Sequence, residues 1–399
     1  MTYYAILYTP GLLIVNLGLG SQSDPILIFG FLLNQVVNWL VIIGAAIVVR
    51  NAYKKSVWPV VIIVGVFFTK ILEIVFDGHP ATYLSYKFFL LVLFLVFGVI
   101  YIYKYLDLLY KHVLIICLFN VIMMVFQILN LGDWTQFLST ESTFTYGEKL
   151  TYDMLFVPLD QLQFSVIQAR PSGFLRSNNI LSGVLLFALA LHYSRGENRL
   201  KWGTLVLSSM IILASAKIVY VGFILMGILL LLKGDRRNRK FLFKSILLLV
   251  LLLIIYSFLF PGLFYRYWTS EALFYNISIR INNIISAMDS DSIFRAQLEG
   301  YFHYAPRASW ETETTVLSGY TLLVNYMRYI IIIFLMMLPL YLKGVRRLNN
   351  NYPNLTWVTI LCMLVFVIYP AAVPIFKDQF YWMVGGFALA PLFKRPPDY

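Results

Sequence analysis

The segment RPSGFLRSNNILSG, residues 170–183, carries two arginines six apart and two adjacent asparagines, and runs directly into the apolar stretch LLFALAL. A guanidinium is a planar fork of N–H donors that grips a carboxylate or phosphate with two parallel hydrogen bonds. Arg170 and Arg176 are therefore candidate anion ligands. Asn178 and Asn179 stand at the start of an apolar span, where free backbone N–H groups and the positive end of a helix dipole attract anions; as helix caps they need no ligand. In ILASAKIVYVGFILMG, residues 212–227, Lys217 lies at the junction of two short apolar runs beside Ala214, Ser215 and Ala216, small residues that let helices approach closely. Its ammonium can serve the same anion, or simply snorkel to water.

A second polar stretch, residues 261–315, holds Arg266, Arg280, Arg295 and Arg307, which either bind an anion or pair with neighbouring acids. Glu311 and Glu313, in SWETETTVLSGYTLLVNYMRY, stand at the mouth of the following apolar run. A partly desolvated carboxylate there can take a proton from a sugar hydroxyl, while acidic residues also suit a helix N-terminus. Arg328 sits deeper in that run, where an ionisable group is a functional hypothesis by default; pairing with Glu73 is the alternative, and Lys70 and Glu73 can also satisfy one another. Asp289-Ser290-Asp291 has the form of a DxD metal motif, and equally of a cap for a short helix near Ile293. His303 stands in a Tyr-rich segment, and no acid/His cluster accompanies it. HExxH, GxSxG, P-loop and GxGxxG motifs are absent.

The elements that must position these residues are set by composition. Of 399 residues 60% are hydrophobic and 13% charged, and mean hydropathy is +0.78, against about 45–50% and 25% in a soluble globule. A spanning helix needs ~20 mostly apolar residues. Candidate spans fall at 3–20, 25–49, 57–76, 83–103, 112–131, 179–194, 202–216, 218–232, 241–260, 316–342, 355–375 and 379–393. The sequence thus predicts an all-α integral membrane protein of about twelve transmembrane helices, residues 1–399 forming a single polytopic domain. Residues 3–20 read as a retained first span, since they lack the basic start and cleavage site of a signal peptide. Cys117 and Cys362 both lie in apolar runs and make no disulfide framework.

The net charge of +12 is unevenly placed. The connections RNAYKK, KYLDLLYK, RGENRLK, KGDRRNRKFLFK, KGVRR and the C-terminal KR hold 19 of the 31 Lys and Arg. Cationic short loops stay in the cytoplasm, so both termini are expected inside and the loops 132–178 and 261–315 outside. Six arginines on the outer side, against one lysine in those loops, Lys149, run counter to ordinary sorting and point to binding of a diphosphate at the membrane surface. Within 271–288 an apolar stripe, Leu273, Phe274, Ile277, Ile281, Ile284, Ile285 and Met288, has helical period and suits an interfacial helix or packing against the spans. No internal repeat and no polar midplane is evident, as an alternating-access exporter would show.

The R-P-S-G-F segment followed by Asn178-Asn179, the later ASAK junction and the acidic end of the second loop resemble the O-antigen polymerase and ligase superfamily over residues 165–345. That resemblance implies a GT-C-like membrane glycosyltransferase with two long periplasmic or extracellular loops, in the bacterial inner membrane. Its substrates would be undecaprenyl-diphosphate-linked oligosaccharides of O-antigen or capsule, and it would need no metal ion, nucleotide sugar or other cofactor. Arg170 and Arg295 would stabilise the leaving diphosphate, with Arg176, Asn178, Asn179, Lys217, Arg280 and Arg328 around it, and Glu313 would accept the hydroxyl proton. The lipid bilayer, a chain-length regulator and a flippase would be its partners, and nucleic acid would not. Two departures stand out: ETETT occupies the place where ligases carry a histidine, which favours a polymerase, and Arg328 stands where the family tends to have glycine. A ligase delivering finished glycan to lipid A core or protein, and a flippase for the same lipid-linked units, remain the rival readings.

Overall fold

The computed structural model describes residues 25–53, 92–103, 105–129, 178–196, 199–214, 216–233, 236–259, 328–369 and 379–393, together with 64, 173 and 264. Apart from turns and short connections these residues are helical, without strands among them. The helices are α1 (Pro25–Ala52), α2 (Val92–Tyr103), α3 (Leu106–Ile128), α4 (Asn178–Ser194) and α5 (Lys201–Ala214). After them come α6 (Lys217–Leu232), α7 (Arg236–Leu259), α8 (Arg328–Asn351), α9 (Pro353–Ile368) and α10 (Gln379–Leu389), the last running into a 3-10 turn, Ala390–Leu392. Two helices, α3 and α7, are long and apolar enough to cross a membrane; most of the others are shorter apolar helices.

Several boundaries differ from those expected of the sequence. α3 begins at Leu106 rather than 112, α7 at Arg236 rather than 241, and α8 continues through KGVRR to Asn351. Stretches expected to be basic connections are helical because Arg, Lys and Leu are good helix formers, and their long side chains carry the charge away from apolar surface without ending the helix. The expected spans at 3–20 and 57–76 lie outside the described residues, except for Val64.

The chain divides into two compact units. One comprises Met1–Val41 and Asp107–Leu273, the other Ile42–Leu106 and Phe274–Tyr399. In the first unit α4 packs against both α5 and α6, and α7 against the same two helices. Every residue from Leu181 to Ser194 is buried. A helix apolar on all sides has no face to offer to water and is found at the centre of a bundle; α4 is that centre. By contrast α7 leaves Phe243 68% and Phe258 82% exposed, with Leu247, Leu251 and Ile255 between them. So large an apolar face is stable only against something equally apolar.

In the second unit α9 packs against α8 and α10. The Phe366 and Tyr381 rings stack with centroids 4.6 Å apart, and the Tyr381 hydroxyl donates to the Phe366 carbonyl at 3.0 Å. α2 crosses α10 through Gly98 and Gly386: a Cβ on Gly98 would meet the Met383 carbonyl and come within 3.2 Å of the Gly386 Cα. Small residues at such a crossing let the backbones pack directly.

Candidate functional site

The site is built at one end of the first unit, and helix direction shows which end. At the amino end of α3, Tyr110 hydroxyl meets His192 Nδ1, near the carboxyl end of α4, at 2.8 Å. Near the carboxyl end of α3, Gln127 meets Gly173, five residues before α4 begins. α3 and α4 are therefore antiparallel. His192 Nε2 also lies 3.0 Å from Thr204 Oγ1 in the first turns of α5, so α5 runs alongside α3, and its carboxyl end, followed by the start of α6, faces the Gly173 end.

Gly173 is the described residue of the arginine-bearing segment, and its geometry is specific. Its φ is +61°, in the left-handed region that costs other residues roughly 1–2 kcal/mol. Its N–H donates to Gln127 Oε1 at 2.9 Å, and its carbonyl accepts from Gln127 Nε2 at 3.2 Å. A Cβ at this position would run into the Asn120 side chain. That side chain is itself held by its Nδ2 donating to Ile116 O at 2.8 Å. Asn120 and Gln127 are both buried. Seven residues apart, they lie two turns along one face of α3.

The sequence-predicted residues fall around this point unequally. Asn178 is the first residue of α4 and Asn179 the second, so both occupy the turn whose backbone N–H groups lack helical partners. Lys217 opens α6, directly after the carboxyl end of α5. The backbones of Asn178, Asn179 and Lys217 thus share the Gly173 end of the unit, while their side chains are outside those described. Arg328 belongs to the second unit, where the described part of α8 opens. Arg170, Arg176, Arg280, Arg295, Glu311, Glu313, the Asp289–Asp291 motif and His303 lie outside the described residues, as does the 271–288 stripe. Among the described residues no three His, Cys, Asp or Glu side chains come together as a metal site.

At the same end an apolar groove of about 510 Å³ opens between α3, α5 and α7. Its walls come from the carboxyl halves of these helices, among them Val121, Val125, Ile212, Leu252 and Ile255, and Ser209 and Tyr256 are its polar members. So apolar a lining suits a hydrocarbon chain and offers little to a sugar or a nucleotide.

The opposite end is a polar network that the sequence reading passed over. Tyr110 hydroxyl accepts from Leu200 N at 3.0 Å in addition to its contact with His192. Arg195 pairs with Asp107 and lies 5.1 Å from the Tyr110 ring centroid. Arg199 donates to Asn238 Oδ1 at 2.8 Å and lies 3.7 Å over the Phe241 ring. Lys201, Arg237, Arg239, Lys240 and Lys244 surround the network and are exposed. Here both ring nitrogens of His192 have partners on other helices, so the arrangement fastens helices, while the buried Arg195 Nε has no hydrogen-bond partner.

Asn120 and Gln127 were also missed. The available signal was their spacing: two amides on one face of an otherwise apolar helix are costly in lipid unless they face the protein interior. Compared with protein-family models, curated proteins and solved structures, the chain matches none at a significant level.

Proposed function

We propose that the protein is a surface-polysaccharide polymerase of the O-antigen or capsule type, joining oligosaccharide repeats carried on undecaprenyl diphosphate. In this reading it is a GT-C-like enzyme of about twelve spans in the bacterial inner membrane, with both termini cytoplasmic and the Gly173 end of the first unit exterior. The observation that supports it is Gly173, which lies between Arg170 and Arg176 in the sequence and is hydrogen-bonded to the buried Gln127 amide beside Asn120, at the end of the unit where an apolar groove opens. An amphiphile with an anionic head and a long chain fits both. The exposed cations at the opposite end agree with a cytoplasmic side there.

In the proposed reaction Arg170, Arg176, Lys217 and Arg295 contact the diphosphate and stabilise the charge that develops on it as it leaves. The family resemblance makes Arg280 and Arg328 further substrate-binding candidates, and Asn178 and Asn179 shape the pocket. Glu313 takes the proton from the attacking sugar hydroxyl, and the hydroxyl oxygen displaces the lipid diphosphate at the anomeric carbon. The growing glycan passes to the next lipid-linked unit without a metal ion or nucleotide.

The test is to incubate purified protein in lipid nanodiscs with lipid-linked repeat units and resolve the products by gel. A ladder of chain lengths is expected from wild type. Single repeats alone would remove the polymerase, and long polymer left unattached in a deletion strain would turn the reading to a ligase.

A further inference from the structure

Among the described residues two helices are long and apolar enough to cross a membrane, and α7 is the less buried of them. Its exposed side is ordered along its length. The cations Arg237, Lys240 and Lys244 come first, and all three are exposed. Leu247, Leu251, Ile254 and Phe258 follow, again exposed. These positions succeed one another at alternating steps of three and four residues, which at 3.6 residues per turn keeps them within an arc of about 100°. Asn238 and Ser245, on the other side of the helix, are buried. The face is one straight track, cationic for two turns and apolar for the next three.

The cationic end is held to the rest of the first unit. Arg199 donates to Asn238 Oδ1 at 2.8 Å and lies 3.7 Å over the Phe241 ring, so the turns that carry the lysines are anchored from behind. The first turn of α7 has no acidic residue. Asp107, the sole acid among the described residues, stands on α3 and pairs with Arg195. Lys240 and Lys244 are one turn apart, a spacing at which like charges repel, and an anion between them would reverse that cost.

The apolar part of the track sets the length of what lies along it. Leu247 and Phe258 are eleven residues apart, about 17 Å at 1.5 Å per residue, roughly half of a ~30 Å hydrocarbon layer. That is the depth of one leaflet, with the charge at its surface. A soluble anion would use the lysines and none of the apolar turns. A second copy of this chain, oriented alike in a membrane and related by a two-fold axis, would set the cations of one α7 against those of the other.

We propose that this face of α7 binds an anionic glycerophospholipid, its phosphate against Lys240 and Lys244 and one acyl chain along Leu247, Leu251, Ile254 and Phe258. The site requires that α7 lies in a bilayer; it does not require that the protein polymerises glycan.

The experiment uses full-length protein in detergent, incubated with equal amounts of phosphatidylglycerol and phosphatidylcholine of matched chains. Native mass spectrometry reads which lipid is retained and how many copies of the chain are present. Wild type should retain phosphatidylglycerol in preference to phosphatidylcholine. Lys240→Gln/Lys244→Gln should weaken phosphatidylglycerol about thirty-fold, roughly five-fold for each cation at an anionic lipid surface, and Lys240→Arg/Lys244→Arg should restore it. Leu247→Ser/Leu251→Ser, with the cations intact, should weaken it at least five-fold through lost apolar contact. Lys343→Gln/Arg346→Gln removes the same charge from exposed positions of α8 and should change nothing. If the glutamine pair does not fold, Lys244→Gln alone carries the test with a five-fold loss. No preference in wild type, an unchanged affinity in the glutamine or serine pair, or an equal loss in the α8 control overturns the proposal. So does a wild-type dimer that the serine pair splits, which would assign the face to a second copy. Wild type that retains phosphatidylglycerol and yields no ladder of glycan lengths ends the polymerase reading and leaves the lipid site standing.

Discussion

The two ends of the first unit are held by opposite means. At the amino end of α3, Tyr110, His192, Thr204, Leu200, Arg195 and Asp107 form an interlinked network with aromatic and charged members. At the carboxyl end a loop residue is held by one amide and shaped around another. The first arrangement spreads its contacts over three helices and a turn, with both ring nitrogens of His192 satisfied by protein groups and the buried Arg195 Nε without a hydrogen-bond partner. The second pairs the N–H and the carbonyl of one glycine with the Gln127 side chain.

Substitutions that separate the two ends test this contrast. Arg170→Ala should reduce polymer formation by about 10²–10³-fold, the effect of deleting one charge-stabilising donor, and leave single repeats on lipid; an unchanged ladder on the gel would remove the arginine from the site. His192→Leu should cost about 2–4 kcal/mol of stability, because Tyr110 and Thr204 lose their buried partner. Thermal unfolding in detergent would show it, with turnover per folded molecule unchanged; a fall in turnover at full stability would make the amino end part of the chemistry. Gly173→Ala should cost roughly 1–2 kcal/mol from the left-handed backbone and more from contact with Asn120. Asn120→Ala in the same protein should restore the steric part only, read as thermal unfolding in detergent. Asp107→Asn should change stability least, by about 0–1 kcal/mol, since the Asp107 side chain is 77% exposed and its ion pair with Arg195 is solvated.

The sequence showed some of this and hid the rest for physical reasons. The start of α4 at Asn178 was legible because polarity changes abruptly there. The end of α5 and the start of α6 were legible from ASAK, a small-residue interruption between apolar runs. The amino ends of α3 and α7 were misplaced, since charge was taken to end a helix although long cationic side chains extend one readily. The bond between Gln127 and Gly173 joins positions 46 apart in the chain, and a pairing between an amide and a distant peptide unit leaves no periodic trace. His192 was hidden for the same reason: both of its partners, Tyr110 and Thr204, lie on other helices.

Helix length carries one more consequence. At 1.5 Å of rise per residue, the 14 residues of α5 and 16 of α6 reach only about 21 and 24 Å, against about 35 Å for the 23 residues of α3. A hydrocarbon layer ~30 Å thick meets such short neighbours by thinning around them. If α5 and α6 are two of the proposed spans, the bilayer surface is drawn down at the turn between them, toward position 217.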